Sequence, residues 1–193
     1  MYEAVFFDLD GTLYNKKGMT RRFIWAGLRA GCLRLLARER KARRRLSASK
    51  RLAGYDTLFT EIAKGTRYTP DQVRTWYNEW YMPKMVSFLK EHYTIDPAIL
   101  AMAQDFKAQG SKIAILSDYG CVREKFEALG GDPAMFDALL DAPSLGGFKP
   151  CPDVFLAACG RLGADPARCA LVGDRPDTDG GCAAVGMTFI PKT

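Results

Sequence analysis

The stretch VFFDLDGTLY, residues 5–14, places two carboxylates directly after a short apolar run. Aspartate is a poor strand former, and two anions separated by one residue repel each other. Asp8 and Asp10 therefore need either a solvated turn or a cation at the end of this run. The rest of the chain must decide between these two outcomes.

Short apolar segments alternate with helical segments in most of the chain. EAVFFDL, SKIAILSD, FDALLD, CALVGD and MTFIP are typical of buried strands. VREKFEALGG, PDVFLAACGRLG and DGGCAAVG are helix candidates, with Pro152 at the start of the second and glycines near the ends. This alternation implies right-handed crossovers. It predicts an α/β fold, with a Rossmann-like parallel sheet covered by helices on both faces.

One long segment breaks this alternation. RRFIWAGLRAGCLRLLARERKARRRL and PDQVRTWYNEWYMPKMVSFLKEHY are amphipathic and offer few strand signals. We predict an all-helical insertion at residues 15–96, and a discontinuous α/β core formed by residues 1–14 and 97–193. Four aromatic residues of the insertion form two pairs at i, i+4 spacing, and packing inside the insertion is favoured for them over a substrate-stacking platform. They are Trp76, Tyr77, Trp80 and Tyr81.

The composition of the 193 residues fits one domain, or a domain with a sizeable insertion, because 48% are hydrophobic and 26% are charged. We expect no signal peptide, since Asp8 and Asp10 interrupt the first apolar run. The most apolar longer stretch, residues 23–37, contains Arg29 and Arg34 and is too short to span a bilayer. No transmembrane segment is therefore predicted.

Cysteine and histidine usage narrows the chemistry. The six cysteines are scattered without a CxxC pair, which predicts reduced thiols in a cytoplasmic protein rather than disulfides or a zinc site. The single histidine, His92, lies in a charged segment and is expected at the surface. His-rich metal sites are excluded, so the chemistry must depend on carboxylates and lysine.

The formal charge of +6 is concentrated in one segment. Arg34 to Arg51 contains nine basic residues and one acid, Glu39, leaving 19 basic and 21 acidic residues elsewhere. A solvated helix face is the favoured interpretation. An electrostatic funnel for an anionic substrate, or a weak nucleic-acid or anionic-surface contact through Arg38–Arg51, stays open. The preceding apolar stretch with its arginines is also compatible with a lipid interface.

Polar residues follow several predicted strands. Ligands of an open parallel sheet bind at the carboxyl ends of its strands. The groups expected at that edge are Asp8, Asp10, Ser117, Asp118 and Asp174, with Lys149 just before a helix. Clustered carboxylates suit a hard cation, and Mg²⁺ prefers one or two carboxylates together with substrate phosphate. We therefore predict a Mg²⁺ site in which the metal and the Lys149 ammonium neutralise the two aspartates.

Four motifs also carry a resemblance to a known family. They are DLDGTL at residues 8–13, Ser117 after an apolar strand, Lys149 followed by Pro150, and VGDRPDTD at residues 172–179. Their order, spacing and strand context resemble the haloacid dehalogenase superfamily, over residues 1–14 and 97–193. The insertion lies where this superfamily carries its helical cap.

The resemblance implies a Mg²⁺-dependent phosphatase that hydrolyses a small phosphorylated metabolite through an aspartyl-phosphate. Asp8 would attack phosphorus, which divides one difficult displacement into two easier ones. Asp10 would protonate the leaving oxygen and then act as a base on the hydrolytic water. Ser117 would donate a hydrogen bond to a phosphoryl oxygen, and Lys149 would stabilise negative charge.

The phosphate-binding and metal-binding residues also follow from the resemblance. The phosphate would meet Gly11, Thr12, Ser117, Asp118 and Lys149. Gly11 lets the backbone approach closely, and Thr12 fixes the turn. Asp118 stands where many relatives carry Asn, so we expect only its backbone N–H to contribute. The metal would be held by Asp8, the backbone carbonyl of Asp10, and Asp174, with Asp179 in support.

The second acidic residue of the last motif has two candidates. Asp177 and Asp179 both follow Asp174 at plausible distances. Asp179 is preferred, since GDxxxxD is the commoner spacing in the family. Asp177 better suits the first turn of a helix.

Other functions are compatible with parts of the sequence. A phosphomutase would use the same core motifs. A haloacid dehalogenase has no leaving alkoxide to protonate, so Asp10 argues against it. A protein whose basic cap binds nucleic acid or a membrane, above a vestigial core, is the third alternative. The intact catalytic positions make that alternative less favoured as the sole function.

Overall fold

Five parallel strands form the central sheet of the protein. The computed structural model describes residues 1–192, and its strands are β1 (Ala4–Phe7), β2 (Lys112–Ser117), β3 (Ala138–Asp141), β4 (Cys169–Gly173) and β5 (Thr188–Pro191). Their order is β3–β2–β1–β4–β5. Phe7, at the end of β1, lies beside Ile115 of β2 and Val172 of β4. The predicted parallel sheet is confirmed, and the residues that follow β1, β2 and β4 emerge at one edge.

Helices account for most of the remaining chain. The α-helices are α1 (Met19–Arg29), α2 (Leu33–Ser49), α3 (Tyr55–Ala63), α4 (Pro70–Trp76), α5 (Met82–His92), α6 (Pro97–Ala108), α7 (Val122–Ala128) and α8 (Pro152–Leu162). A π-helical turn (Tyr77–Tyr81) joins α4 to α5. Short 3₁₀ segments lie at Pro133–Met135, Ala142–Leu145, Pro166–Arg168 and Asp179–Val185. DGGCAAVG thus forms a 3₁₀ helix. Among residues 1–192, no helix has the length and apolar character needed to cross a membrane.

The helix ends follow local sequence signals. The Thr69 hydroxyl accepts a hydrogen bond from the Gln72 N–H at the start of α4, and the Gln72 side chain accepts one from the Thr69 N–H. Asp96 caps α6 by accepting a hydrogen bond from Ala98 N–H. Gly163 ends α8 with φ 61°, a left-handed conformation that glycine adopts without strain. These boundaries are set locally, so the sequence could indicate them.

Both faces of the sheet are covered by helices, as predicted. Val5 and Phe7 of β1 face one buried cluster, where the Phe7 ring lies 6.5 Å from that of Phe106 on α6. Phe6 faces the opposite cluster, which includes Phe155 of α8. The alternation of side chains along β1 therefore supplies two separate cores.

Between Met19 and His92 the regular elements are all helices, joined by short loops, as expected for the insertion. The buried side chains of these helices join the same apolar cluster as Val5 of β1. Tyr77 and Tyr81 are buried, and their rings stack with centroids 5.3 Å apart. The expected packing inside the insertion is therefore confirmed for Tyr77 and Tyr81. The division at residues 15–96 stays a prediction.

All six cysteines are free, in agreement with the expected reduced thiols. They are Cys32, Cys121, Cys151, Cys159, Cys169 and Cys182. Four of them lie in or beside the α8 side of the core, where they contribute as small apolar side chains. No disulfide is therefore needed to explain how the core holds together.

The α8 contact with the sheet gives a stability test. Phe155→Ala should lower the free energy of unfolding by about 3–5 kcal/mol, because the deletion leaves a cavity under the sheet. Urea unfolding followed by circular dichroism measures this change. The neighbouring Leu156 is 46% exposed, so Leu156→Ala should cost about 0.5 kcal/mol. Equal losses in the two variants would contradict the assigned burial.

Candidate active site

The turn after β1 holds Asp8 in a fixed position. The Asp8 N–H donates to the Val172 carbonyl of β4 at 2.9 Å, and Thr12 Oγ1 donates to Asp8 Oδ2 at 3.1 Å. Gly11 has φ 117°, and an added Cβ there would clash with Asp174 and Lys16. This close approach requires glycine. The apolar strand therefore delivers a nearly buried carboxylate at the edge where β1 and β4 end.

A buried ammonium group neutralises that carboxylate. Lys149 Nζ lies 2.8 Å from Asp8 Oδ1, 2.6 Å from Asp179 Oδ1 and 3.2 Å from the Leu116 carbonyl oxygen. Burial alone lowers the pKa of Lys149, but the charges of Asp8 and Asp179 outweigh burial and raise it. Burial raises the pKa of Asp179 to about 6, against the opposing effect of Lys149. The predicted lysine thus lies between two acidic residues.

Three carboxylates form a compact cluster. Asp8, Asp174 and Asp179 each place one oxygen within 4.8 Å of the others. Asp174 Oδ1 is buried and has no hydrogen-bond partner among the described residues. Lys16 Nζ contacts Asp174 Oδ2 at 2.7 Å and the Asp10 carbonyl oxygen at 2.8 Å. An unpartnered carboxylate oxygen beside two further carboxylates and a carbonyl is a donor set suited to Mg²⁺.

Asp10 lies beside this cluster and is held by three donors. Tyr14 Oη donates to Asp10 Oδ1 at 2.8 Å, while Ser117 Oγ, at 2.8 Å, and Lys125 Nζ both donate to Oδ2. Burial alone raises the pKa of Asp10, but the charge of Lys125 and these hydrogen bonds together lower it below its ordinary value. Asp10 is therefore kept ionised, next to but separate from Asp8.

Two of the donors to Asp10 were not predicted. Lys125 is fully buried on α7, although its surroundings in VREKFEALGG are typical of an exposed helix face. No local pattern distinguishes it from a surface lysine. Tyr14 lies four residues after Asp10, and this spacing was a usable signal.

Ser117 is the last residue of β2, and Asp118 follows it. Ser117 Oγ donates to Asp10 and accepts from the Tyr119 N–H at 3.0 Å. Asp118 Oδ1 accepts a hydrogen bond from the Lys149 N–H at 3.0 Å, and burial raises the Asp118 pKa. The Asp118 side chain therefore positions the Lys149 backbone, a contact that the sequence did not indicate.

The arginine-rich segment is partly buried, which corrects one expectation. Arg43 Nε donates to Glu39 Oε1 at 2.7 Å, and its guanidinium carbon lies 4.0 Å from the centroid of the Tyr119 ring. Arg43 also bonds the Asp118 carbonyl oxygen. Arg38 is half-buried and bonds backbone carbonyls of α3. The solvated helix face predicted for the run RERKARRR, residues 38–45, is wrong for Arg43, because α2 turns that residue towards the loop after β2.

The two alternatives in the last motif occupy different surroundings. Asp177 is exposed and pairs with Arg175 at 2.6 Å. Asp179 is buried and accepts a hydrogen bond from the Arg175 N–H at 3.1 Å, beside Lys149. The structure therefore brings Asp179, and not Asp177, into the carboxylate cluster. His92 lies at the surface beside Glu91, as expected.

Curated proteins similar to this chain include phosphatases. N-acylneuraminate-9-phosphatase of Rattus norvegicus is 26% identical over 194 residues, which cover 91% of this chain and 75% of that protein. Protein SUPPRESSOR OF QUENCHING 1, chloroplastic, of Arabidopsis thaliana is 28% identical over 174 residues. That match covers 89% of this chain but only 16% of the Arabidopsis protein.

Structure and family comparisons agree with the fold. CbbY from Rhodobacter sphaeroides, solved with xylulose-1,5-bisphosphate, aligns with TM-score 0.70 and 20% identity, covering 99% of this chain and 86% of that one. The family model for haloacid dehalogenase-like hydrolases matches residues 2–186. The resemblance carried by the four motifs is thereby confirmed, and the chain belongs to the haloacid dehalogenase-like hydrolase family.

Proposed function

We propose that the protein is a Mg²⁺-dependent phosphatase that hydrolyses a small phosphorylated metabolite through an aspartyl-phosphate on Asp8. The observation that carries this proposal is the paired arrangement of Asp8 and Asp10. Asp8 contacts the Lys149 ammonium and belongs to a three-carboxylate cluster, whereas Asp10 is held apart by its own donors. The phosphatases among the similar proteins support the same reaction class.

The proposed reaction has two displacements. An Asp8 oxygen attacks phosphorus, the bond from phosphorus to the ester oxygen breaks, and the leaving alkoxide takes a proton from Asp10, which picks up that proton when the anionic substrate binds beside it. Water then attacks the aspartyl-phosphate, and Asp10 takes a proton from that water. Phosphate leaves and Asp8 is regenerated. The lowered pKa of Asp10 favours the ionised form that serves as the base in the second displacement.

The chain's own residues account for charge and orientation during these steps. Lys149 offsets the negative charge on Asp8 and on the phosphoryl group. Thr12 orients the Asp8 carboxylate. Ser117 donates its single hydroxyl proton to Asp10 in this structure and would turn it to a phosphoryl oxygen when substrate binds. Gly11 lets Asp174 and Lys16 approach the backbone of this turn, where a side chain would clash with both.

Mg²⁺ would be held by Asp8, the Asp10 carbonyl and Asp174, with Asp179 in support. When bound, it supplies positive charge that stabilises a transferring phosphoryl group. The fit rests on the unpartnered Asp174 Oδ1 and on the oxygen-only donor set.

Residues 15–96 are proposed to act as a cap domain that contacts the part of the substrate that does not react. Arg43 supports this role, because it reaches the Asp118 carbonyl oxygen from α2. A cavity of about 210 Å³ lies between the helices and the loop after β2, and its lining includes Tyr55, Phe59, Tyr77 and Gly120. The free cysteines support a cytoplasmic location.

Asp8→Asn should reduce phosphate release at least about 10³-fold, because an amide cannot act as the nucleophile. A panel of phosphorylated metabolites assayed with Mg²⁺ measures both activity and substrate preference. Asp177→Asn is the matched control, since Asp177 is exposed and paired only with Arg175. Wild-type turnover in Asp8→Asn would refute the proposed nucleophile. Isomerised phosphorylated product without free phosphate would instead identify a phosphomutase.

Lys125→Met should move the limb of the pH–rate profile that reports Asp10 to higher pH. Lys125 lowers the pKa of Asp10, so its loss raises that pKa whether Asp10 limits the rate as an acid or as a base. The measurement is kcat/KM against pH. Lys90→Met, at an exposed position of α5, should leave the profile unchanged. An unshifted limb in Lys125→Met would show that this contact does not tune Asp10.

Lys16→Met should strengthen Mg²⁺ binding about two- to fivefold, because Mg²⁺ would no longer compete with an ammonium group for Asp174. Isothermal titration calorimetry of the substrate-free protein measures the Kd directly. Lys17→Met removes the exposed neighbouring cation and serves as the control. Weaker Mg²⁺ binding in Lys16→Met than in Lys17→Met would contradict the competition.

A further inference from the structure

The outer face of α1 carries large apolar side chains that no described residue covers. Ile24, Trp25 and Leu28 are 52%, 59% and 56% exposed. Leu33, in the first turn of α2, is 38% exposed and lies over Gly27 of α1. We call these four residues the α1 patch. The opposite face of α1 buries Met19, Phe23 and Gly27, so the patch is a second apolar surface and not the face that holds the helix in place.

The exposed charged residues of α1 and α2 are all basic. Residues 19–51 contain twelve basic residues and one acid, Glu39. Glu39 is buried and paired with Arg43, so it does not reduce the exposed charge. The exposed cations of α1 and α2 are Arg21, Arg29, Arg34, Arg40, Lys41, Arg44 and Arg45. The α1 patch thus lies on two helices whose exposed charges are all positive.

This surface lies on the side of α2 that faces away from the active site. Leu35, Ala42 and Arg43 are buried on the inner side of α2, where Arg43 contacts the loop after β2. Lys41 and Arg44 lie on the exposed side. A partner bound to the outer surface would therefore leave the carboxylate cluster uncovered.

We propose that the α1 patch and the exposed cations of α2 dock on an anionic lipid bilayer. Helices that lie in a membrane interface insert Trp and Leu into the acyl boundary while their arginines contact lipid phosphates. Ile24, Trp25 and Leu28 supply the inserted side chains, and Arg40, Arg44 and Arg45 and their neighbours supply the electrostatic attraction. This inference does not depend on the proposed phosphatase activity.

Two other binding partners, a nucleic acid and a second copy of the chain, would each match only part of this surface. A nucleic acid would pair with the arginines, but its phosphates would leave the aliphatic side chains of Ile24 and Leu28 in water. A second copy of the chain would cover the patch, but a two-fold contact would bring two positive surfaces together. An anionic bilayer satisfies the apolar and the charged parts at once.

Vesicle sedimentation tests the proposal with the full chain. The protein should bind vesicles of phosphatidylcholine with phosphatidylglycerol, and should not bind phosphatidylcholine alone. Added salt should weaken binding, and Trp25 emission should shift to shorter wavelength on vesicle addition. Trp25→Phe should lose most of that shift, although Trp76 and Trp80 remain.

Two sets of variants separate the apolar and the charged contributions. Ile24→Ser with Trp25→Ser and Leu28→Ser should abolish binding. Arg40→Gln with Arg44→Gln and Arg45→Gln should weaken it about 100-fold, from roughly 1 kcal/mol per cation near the bilayer. Leu156→Ser, at an exposed apolar position on α8, is the matched control and should bind like the wild type.

Turnover of a soluble phosphate ester should be unchanged in these variants, since none of the altered residues contacts the carboxylate cluster. The proposal would be overturned if the wild type did not bind the anionic vesicles. It would also be overturned if the triple serine variant of Ile24, Trp25 and Leu28, here called the apolar variant, bound them as well as the wild type does. A wild-type dimer in light scattering that the apolar variant converts to monomer would assign the patch to self-association instead. Salt-sensitive RNA binding that is unaffected by the apolar variant, without vesicle binding, would assign it to nucleic acid.

Discussion

The active-site end of the fold depends on one buried ammonium group between two carboxylates. Lys149 Nζ reaches Asp8 after β1, Asp179 after β4 and the backbone carbonyl of Leu116 in β2, while its side chain is 1% exposed to solvent. An uncompensated buried charge destabilises a fold by about 3–5 kcal/mol, so Lys149 cannot be buried at this edge without a carboxylate beside it. The segments that carry Lys149 and its partners must therefore meet at one edge of the sheet. The order β2–β1–β4 in the sheet satisfies this requirement, and in this protein the fold and the site are consequences of the same constraint.

The carboxylates at this edge are matched by three lysines that differ in accessibility. Lys149 is buried and pairs with both Asp8 and Asp179. Lys125 is also buried and pairs with Asp10. Lys16, which pairs with Asp174, has a side chain that is 43% exposed. A buried ammonium cannot leave without stranding its partner, whereas an exposed one exchanges easily with solvent ions. The arrangement therefore has two fixed positive charges and one replaceable one, and the replaceable one lies beside the unpartnered oxygen of Asp174. This difference in burial is the physical basis for expecting Mg²⁺ to compete with Lys16 for Asp174.

The sequence indicated the sheet and the main acidic residues because their signals are local. A short apolar run followed by aspartate marks the end of a buried strand, and parallel topology then brings Asp8 and Asp174 together. Lys149 could be recognised only from its place in a series of motifs. Lys125 and Arg43 could not be recognised, since lysine and arginine are usually exposed and their burial depends on the helices packed around them. The GDxxxxD spacing favours Asp179 over Asp177, and in the structure Asp179 is buried within the carboxylate cluster. The roles assigned to these residues stay predictions.

The geometry of helix α2 explains why the high charge density of the arginine-rich segment led to a wrong prediction of exposure for Arg43. Successive residues of an α-helix are turned by about 100°, so neighbours in a run of arginines face different surroundings. Arg43 is turned inwards, where Glu39 neutralises it and the Tyr119 ring covers it. Arg44 is turned outwards into solvent. One segment of similar residues therefore has two separate features. Its inner side forms a contact between the helical insertion and the loop after β2. Its outer side is a positive surface next to the apolar residues of α1. Because the inner arginine is satisfied within the protein, only the outer arginines are available to an external partner, and the surface they form has to be interpreted without Arg43.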